Sequence, residues 1–294
     1  MPMLYAARPA KTIQRRMIID ACRRLTGVAN LPEYQYVGFG GLEFNDFVDA
    51  HNALGIQTMT SIERNTSVPE RYLFNKPYEG IVLRMGQARD MLPEIDWSKL
   101  AITWLDYMNP LSRNIVRDVE YVVRSSVPGS MVIVSVSCNL GEKIDDRLGI
   151  LTELLDDVTP AGLTVDDMRG WGVAKIERDV LQTQANSVAR EAYQGSFRQL
   201  FNFNYSDTSR MLTWGGVVVA PNVARAIENC RFEDLPYIRP EAKPLLIKVP
   251  EFTEREWRHF ERAVGGAAAM PPVLEGIKQE ELVEFADVYR WRTG

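Results

Sequence analysis

The chain has 294 residues, of which 46% are hydrophobic and 25% charged, as in folded globular enzymes and unlike disordered chains. Its net charge of −5 excludes a surface that attracts nucleic acid everywhere. No apolar run approaches the ~20 residues of a membrane span. Residues 1–11 show no apolar signal segment, and the three cysteines lie far apart. We therefore expect a cytoplasmic protein with no membrane segment, disulfide framework or zinc site.

The N-terminal segment, residues 1–30, contains a predicted amphipathic helix at 11–26. Apolar residues at helical spacing define its inner face. We expect a solvated face of this segment to hold the six basic residues near the N-terminus: Arg8, Lys11, Arg15, Arg16, Arg23 and Arg24. The alternative is a patch that binds phosphates, which leaves nucleic acid open as a partner.

Apolar runs of strand length alternate with helical patterns over the next hundred residues. The predicted strands are 34–39, 56–62, 80–85, 100–105 and 131–137, and the predicted helices are 42–54, 66–75 and 115–124. This alternation is typical of βαβ units. We predict five parallel strands with right-handed crossovers and helices on both faces of the sheet.

The pattern changes after residue 140. A helical insert is predicted at 140–196, with its clearest helix at 176–193, followed by strands at 197–205 and 211–219. The polar loop between these strands is too short for a parallel crossover, so they should form an antiparallel hairpin. We expect 31–235 to be a cofactor-binding domain. Residues 236–294 would be an extension on it, with a proline-rich surface segment at 236–250 and helices near 253–264 and 279–289.

A glycine-rich turn follows the first predicted strand, at Gly38, Phe39, Gly40 and Gly41. Glycine permits both a sharp turn and close approach of a ligand to the backbone. The second strand ends about twenty residues later at Glu63, followed by Arg64, where a carboxylate can accept two ribose hydroxyls. Either feature alone has a structural explanation, but at this spacing they predict a nucleoside site.

The third predicted strand ends in a loop formed by Gly86, Gln87 and Ala88. In a nucleoside site this loop would lie over the base, where the Gln87 amide could bond an exocyclic amine. The alternative is a helix start, with Asp90 favourable in the first turn.

The fourth predicted strand ends at Asp106, followed by Tyr107. Ligands of open α/β sheets bind outside the carboxyl ends of the strands, and a carboxylate at a buried strand end needs a partner. We therefore predict Asp106 as a cofactor ligand and general base, with Tyr107 and His51 as more distant candidates for the base. For His51 the alternative is a role at a helix C-terminus.

The order of these features resembles that of class I S-adenosylmethionine-dependent methyltransferases. Residues 36–41, 44–47, 59–63, 74–78 and 104–107 more closely resemble a bacterial family of O-methyltransferases, and the resemblance covers residues 5–260. It implies a Rossmann-like methyltransferase fold and S-adenosyl-L-methionine as cofactor. We expect the acceptor to be a hydroxyl of a small molecule. A nucleic-acid methyltransferase and a non-catalytic nucleotide-binding protein remain alternatives.

Two positions depart from the common glycine motif of that class. Tyr36 occupies a position that is usually acidic, and Leu42 occupies that of the third glycine. Metal-assisted members use an Asp-Asn pair after the fifth strand, where this chain offers only Asn139, so no metal is expected.

Overall fold

The computed structural model describes residues 8–264 and 273–292. Its strands are β1 Gln35–Gly38, β2 Thr58–Glu63, β3 Ile81–Met85, β4 Ala101–Asp106, β5 Met131–Ser137, β6 Ser196–Ser206, β7 Arg210–Val219 and β8 Leu245–Ile247. Its helices are α1 Pro9–Arg23, α2 Asn45–Leu54, α3 Pro69–Asn75, α4 Ala88–Met91, α5 Arg113–Ser125, α6 Ile144–Leu155, α7 Gly172–Tyr193, α8 Ala224–Asn229, α9 Glu254–Val264 and α10 Gln279–Arg292. No helix in these ranges is long and apolar enough to cross a membrane.

The strands form one sheet in the order β3-β2-β1-β4-β5-β7-β6-β8. Strands β1 to β5 are parallel, and β6 and β7 form an antiparallel hairpin beside β5. This confirms the α/β class, the parallel strands and the hairpin. The eighth strand was not predicted. It has three residues inside the proline-rich segment and is defined by its parallel pairing with β6.

Two helices start later than their hydrophobic pattern indicated. The predicted helix at 42–54 begins at Asn45, because Gly41 and Phe44 have φ angles of 60° and 50° and lie in the left-handed region. The predicted helix at 66–75 begins at Pro69, since proline is favoured in the first helical turn.

Each face of the sheet is covered by its own hydrophobic core. One core includes residues of α1, α2, α9 and α10, and the other is built mainly by α5 and α7. Successive residues of β4 alternate between them: Trp104 packs in the first core and Leu105 in the second. The carboxyl ends of the parallel strands are thus held between two packed helical layers.

Helix α1 begins at the carboxyl edge of the sheet. The backbone N–H groups of Ala10 and Lys11 donate to the two carboxylate oxygens of Asp207, each at 3.0 Å, in the loop of the β6–β7 hairpin. A carboxylate satisfies helix N-terminal N–H groups well because the helix dipole favours a negative charge there. The first turn of α1 is therefore fixed beside the ends of the strands.

Candidate active site

The register of the parallel strands brings four strand ends to one edge. Gly38 at the end of β1 pairs with Ser61 in β2 and with Trp104 in β4, and Glu63 at the end of β2 pairs with Met85 in β3. The glycine turn, Glu63, the loop after β3 and Asp106 consequently lie at the same edge.

Backbone N–H groups of the glycine turn are bonded to side chains of β2. Gly40 N donates to Ser61 Oγ at 2.9 Å, and Gly41 N donates to Glu63 Oε1 at 2.9 Å. Ser61 Oγ in turn donates to Glu63 Oε1 at 2.7 Å. A side chain at Gly40 would overlap the Phe44 ring, and one at Gly38 would place Cβ 2.9 Å from the Trp104 carbonyl oxygen. The turn therefore requires glycine at both positions.

Glu63 is nearly buried beside this turn. Burial raises the pKa of its carboxyl group, and hydrogen bonds from Ser61, Gly41 and Gly40 oppose that rise because they stabilise the carboxylate. A charge-assisted acceptor is thus held against the backbone that a nucleoside would approach.

The loop after β3 joins the same edge through its backbone. Gly86 N donates to the Glu63 carbonyl oxygen at 3.0 Å, Gln87 precedes the first turn of α4, and Ala88 begins that helix. The side chains of Gln87 and Arg64 are exposed. The loop is near Glu63, whereas Arg64 points to solvent.

Tyr107 lies beside the glycine turn, but its hydroxyl has another partner. Its ring packs edge-on against Phe39 with centroids 5.0 Å apart, and its hydroxyl donates to Asp118 Oδ2 of α5 at 2.6 Å. Burial, together with the Asp118 carboxylate, raises the pKa of Tyr107 well above its usual value. Tyr107 thus links the turn to α5, and its hydroxyl is unsuited to accept a proton.

The structure does not bring His51 to this edge. His51 is in the last turn of α2, and its Nδ1 contacts the Ile56 carbonyl oxygen at 3.1 Å, just before β2 begins. Its ring lies against Tyr78, with centroids 4.0 Å apart. The six residues of β2 span about 20 Å, so His51 lies at the opposite edge from Asp106.

Asp106 belongs to a cluster of four buried charges, which we call the charge cluster: Lys11, Arg15, Asp46 and Asp106. Lys11 Nζ forms an ion pair with Asp106 Oδ2, and Arg15 Nε forms one with Asp46 Oδ1. None of the four side chains is more than 14% exposed. The expectation that the basic residues of α1 lie on a solvated face is therefore wrong for Lys11 and Arg15.

The two basic residues of the charge cluster, Lys11 and Arg15, stay ionised. Burial alone lowers the pKa of Lys11, but the carboxylates of Asp106 and Asp46 outweigh it, so the net pKa is raised. The pKa of Arg15 is raised in the same way by Asp46 and Asp106 against burial. Lys11 is therefore a cation and not a base near neutral pH.

The sequence contained a signal for this cluster. Lys11, Gln14, Arg15 and Ile18 follow the i, i+3, i+4, i+7 spacing of one helix face, and the apolar Ile18 places that face toward the interior. Polar residues on the same helix face as a buried isoleucine indicate that polar side chains lie in the interior next to this helix. Gln14 is fully buried and donates to Thr213 Oγ1 of β7 at 3.1 Å.

A shallow pocket, open to solvent, lies beside the charge cluster. Its lining includes Lys11, Met108, which is two residues beyond Asp106, and Tyr205 of β6. Arg8 and the hairpin loop residues Asp207, Thr208 and Ser209 form its outer part. The pocket therefore lies next to the end of β4, although Asp106 itself does not line it.

The sheet is open and has five parallel strands and a terminal antiparallel hairpin. Its carboxyl edge carries a glycine turn and acidic strand ends. These features define a Rossmann-like methyltransferase fold. A family model described as "Putative O-methyltransferase" matches residues 3–292. The chain belongs to this family. No curated protein sequence matches it.

Several solved structures are similar to the chain at low sequence identity. Cofactor-bound Rv0187 from MTB is 13% identical, with a TM-score of 0.41 over 72% of this chain and 89% of that chain. Human N-acetylserotonin methyltransferase in complex with SAM is 12% identical, with a TM-score of 0.36 over 74% and 59%. An O-methyltransferase family protein from Burkholderia thailandensis is 9% identical, with a TM-score of 0.36 over 69% and 56%.

Proposed function

We propose that the protein transfers a methyl group from S-adenosyl-L-methionine to a hydroxyl of a small molecule. Membership of the methyltransferase family supports the reaction class. The observation that supports this cofactor is the Glu63 carboxylate, bonded to the glycine turn at the edge where the loop after β3 also lies. Glu63 would hold the ribose hydroxyls, and Gly86, Gln87 and Ala88 would lie over the base.

The residues present fit such a group. The Tyr36 hydroxyl and Asp106 Oδ1 are buried, and neither has a hydrogen-bond partner among the described residues. Unsatisfied buried polar atoms cost free energy, so their occurrence together at one site favours a ligand that completes them. Both lie close to the glycine turn: Tyr36 is two residues before Gly38, and Asp106 is two residues after the strand partner of Gly38.

Asp106 is the residue proposed to receive the acceptor proton. Lys11 binds Oδ2, and Oδ1 has no hydrogen-bond partner among the described residues. Lys11 and Met108 also line the neighbouring pocket. When bound, S-adenosylmethionine would supply the methyl group from a cationic sulfur and would leave as a neutral thioether. Asp106 Oδ1 orients the hydroxyl and accepts its proton, and the cationic Lys11 holds the carboxylate in place.

The burial of Lys11 and Arg15 removes two of the six cations that a phosphate-binding face of α1 would use. The pocket is also small and partly enclosed by the hairpin loop. Both observations favour a small-molecule acceptor over a nucleic acid.

Calorimetric titration tests the cofactor. The purified protein should bind S-adenosylmethionine and S-adenosylhomocysteine with micromolar affinity, and NAD and ATP should bind at least ~100-fold more weakly because they lack an amino-acid end. Absence of binding by both sulfur nucleosides would contradict the proposal and favour a non-catalytic protein.

Replacing Glu63 by glutamine is expected to weaken S-adenosylhomocysteine binding by about 10- to 100-fold, because the ribose loses a charged acceptor. Glutamine can still accept from Gly41 N and Ser61 Oγ, so the melting temperature should change little. Glu79→Gln, an exposed carboxylate just before β3 at the other edge, is the matched control. Unchanged affinity in Glu63→Gln would contradict the ribose assignment.

A further inference from the structure

The charge cluster is not explained by the stability of the fold. Removing an ion from water costs several kcal/mol even when it is paired, and apolar side chains of similar size often pack as well or better. Here four ionisable side chains occupy the junction of α1, α2 and β4. Such concentrations of buried charge are typical of functional sites.

The Tyr36 hydroxyl is a further observation, separate from the buried charges, that points to a ligand at this cluster. The Tyr36 hydroxyl has no hydrogen-bond partner in the part of the chain that the structure describes, and the Tyr36 side chain is 1% exposed. The hydroxyl lies 3.3 Å from the position that a Cβ on Gly38 would occupy. The pKa of Tyr36 is raised well above its usual value, first by burial and then by Asp46. The hydroxyl therefore lies within the field of the cluster and beside the glycine turn, with its hydrogen-bonding capacity unused.

The charges of the cluster define what it can accept. Lys11 and Arg15 are balanced by Asp46 and Asp106, so an added anion or cation alone would leave one charge uncompensated in a buried site. A zwitterion, with a carboxylate and an ammonium on one carbon, adds one partner of each sign and preserves the balance. An α-amino acid group has this chemistry.

We propose that the charge cluster binds the amino-acid end of S-adenosylmethionine, with Arg15 and Lys11 holding its carboxylate and Asp46 its ammonium. The Tyr36 hydroxyl donates to the same carboxylate. Helix α1 is then part of the cofactor site, and the cluster replaces the acidic residue that is absent at position 36. The inference rests on the proposed function, since it specifies how that cofactor is held.

The test compares two ligands that differ in the amino-acid end. S-adenosylhomocysteine has it, and 5′-methylthioadenosine lacks it. By calorimetry the wild-type protein should bind S-adenosylhomocysteine about 100-fold more tightly, as two charge-assisted contacts imply. The paired variant Arg15→Met/Asp46→Leu removes one charge of each sign and should abolish most of that preference. Its affinity for methylthioadenosine should stay within about twofold of wild type.

Two further variants keep the test decisive if the paired variant does not fold. Tyr36→Phe and Arg15→Lys preserve the charges, and each should weaken S-adenosylhomocysteine binding by about 5- to 10-fold without changing methylthioadenosine binding. Arg23→Met, at the exposed end of α1, is the control and should leave both affinities unchanged.

The outcomes separate the two proposals. If the wild type binds neither ligand, the proposed function fails. If the wild type binds S-adenosylhomocysteine and the folded variants keep the same ratio of affinities, the cofactor stands and the role of the charge cluster is overturned. If a variant loses affinity for both ligands by the same factor, the role of the charge cluster is also overturned, because that result indicates general disruption of the site.

Discussion

Replacing Asp106 by asparagine is expected to reduce the rate of methyl transfer by about 100- to 10,000-fold, the range for loss of a general base. Asparagine keeps an oxygen for the Lys11 ammonium but cannot take the acceptor proton at neutral pH. The measurement is single-turnover transfer of labelled methyl to an acceptor found by screening hydroxylated compounds. It is made below the melting temperature of the variant, because loss of the Asp106 charge leaves Lys11 incompletely paired.

The control is Asp96→Asn, an exposed carboxylate in the loop before β4 at the other edge of the sheet. This variant should transfer methyl at the wild-type rate. Binding of S-adenosylhomocysteine to Asp106→Asn should stay within about tenfold of wild type, since most cofactor contacts remain. Transfer at the wild-type rate by Asp106→Asn would eliminate Asp106 as the base.

Replacing Glu177 by glutamine is expected to remove a large pH dependence of the free energy of unfolding. Glu177 is fully buried in α7, where Oε1 accepts from Leu111 N at 3.1 Å and Oε2 accepts from the Cys138 thiol at 3.2 Å. Leu111 lies beyond the end of β4 and Cys138 directly follows β5. Burial raises the pKa of Glu177 to about 8. The side chain is therefore protonated in the folded protein at neutral pH.

The direction of the effect follows from proton linkage. Between the unfolded pKa of 4.5 and the folded pKa of about 8, the folded chain binds more protons at Glu177 than the unfolded chain does. This contribution to stability is complete below pH 4.5 and is lost as pH rises through 8, by about 1.4 kcal/mol per pH unit. The variant lacks it, so its stability relative to wild type should increase by several kcal/mol from pH 5 to pH 8.5.

Urea unfolding at pH 5, 6.5 and 8.5 measures this difference. Glu153→Gln, an exposed residue of α6, is the control and should follow the wild-type pH dependence. If the free energy of unfolding had the same pH dependence in the wild type and in Glu177→Gln, Glu177 would be ionised in the folded protein. That result would contradict the raised pKa.

Most of the fold follows from local pattern. The mostly apolar segment 131–137 predicted β5 with its observed bounds, and the short polar loop at 206–210 predicted the hairpin. The predictions failed where pairing alone defines an element. Strand β8 has three residues, and only hydrogen bonds to Phe203–Tyr205 of β6 distinguish it from an irregular segment.

The sequence by itself determined the class of the protein and one half of its candidate site. Glycines after β1, an acid after β2 and an acid after β4 must meet at one edge, because parallel strands place all their carboxyl ends together. Only the tertiary structure decided the other half. Whether Lys11 and Arg15 face water or the interior depends on Asp106 and Asp46, and Lys11 and Asp106 are 95 positions apart. No local pattern specifies that contact, since it exists only when α1 packs beside α2 at the end of β4.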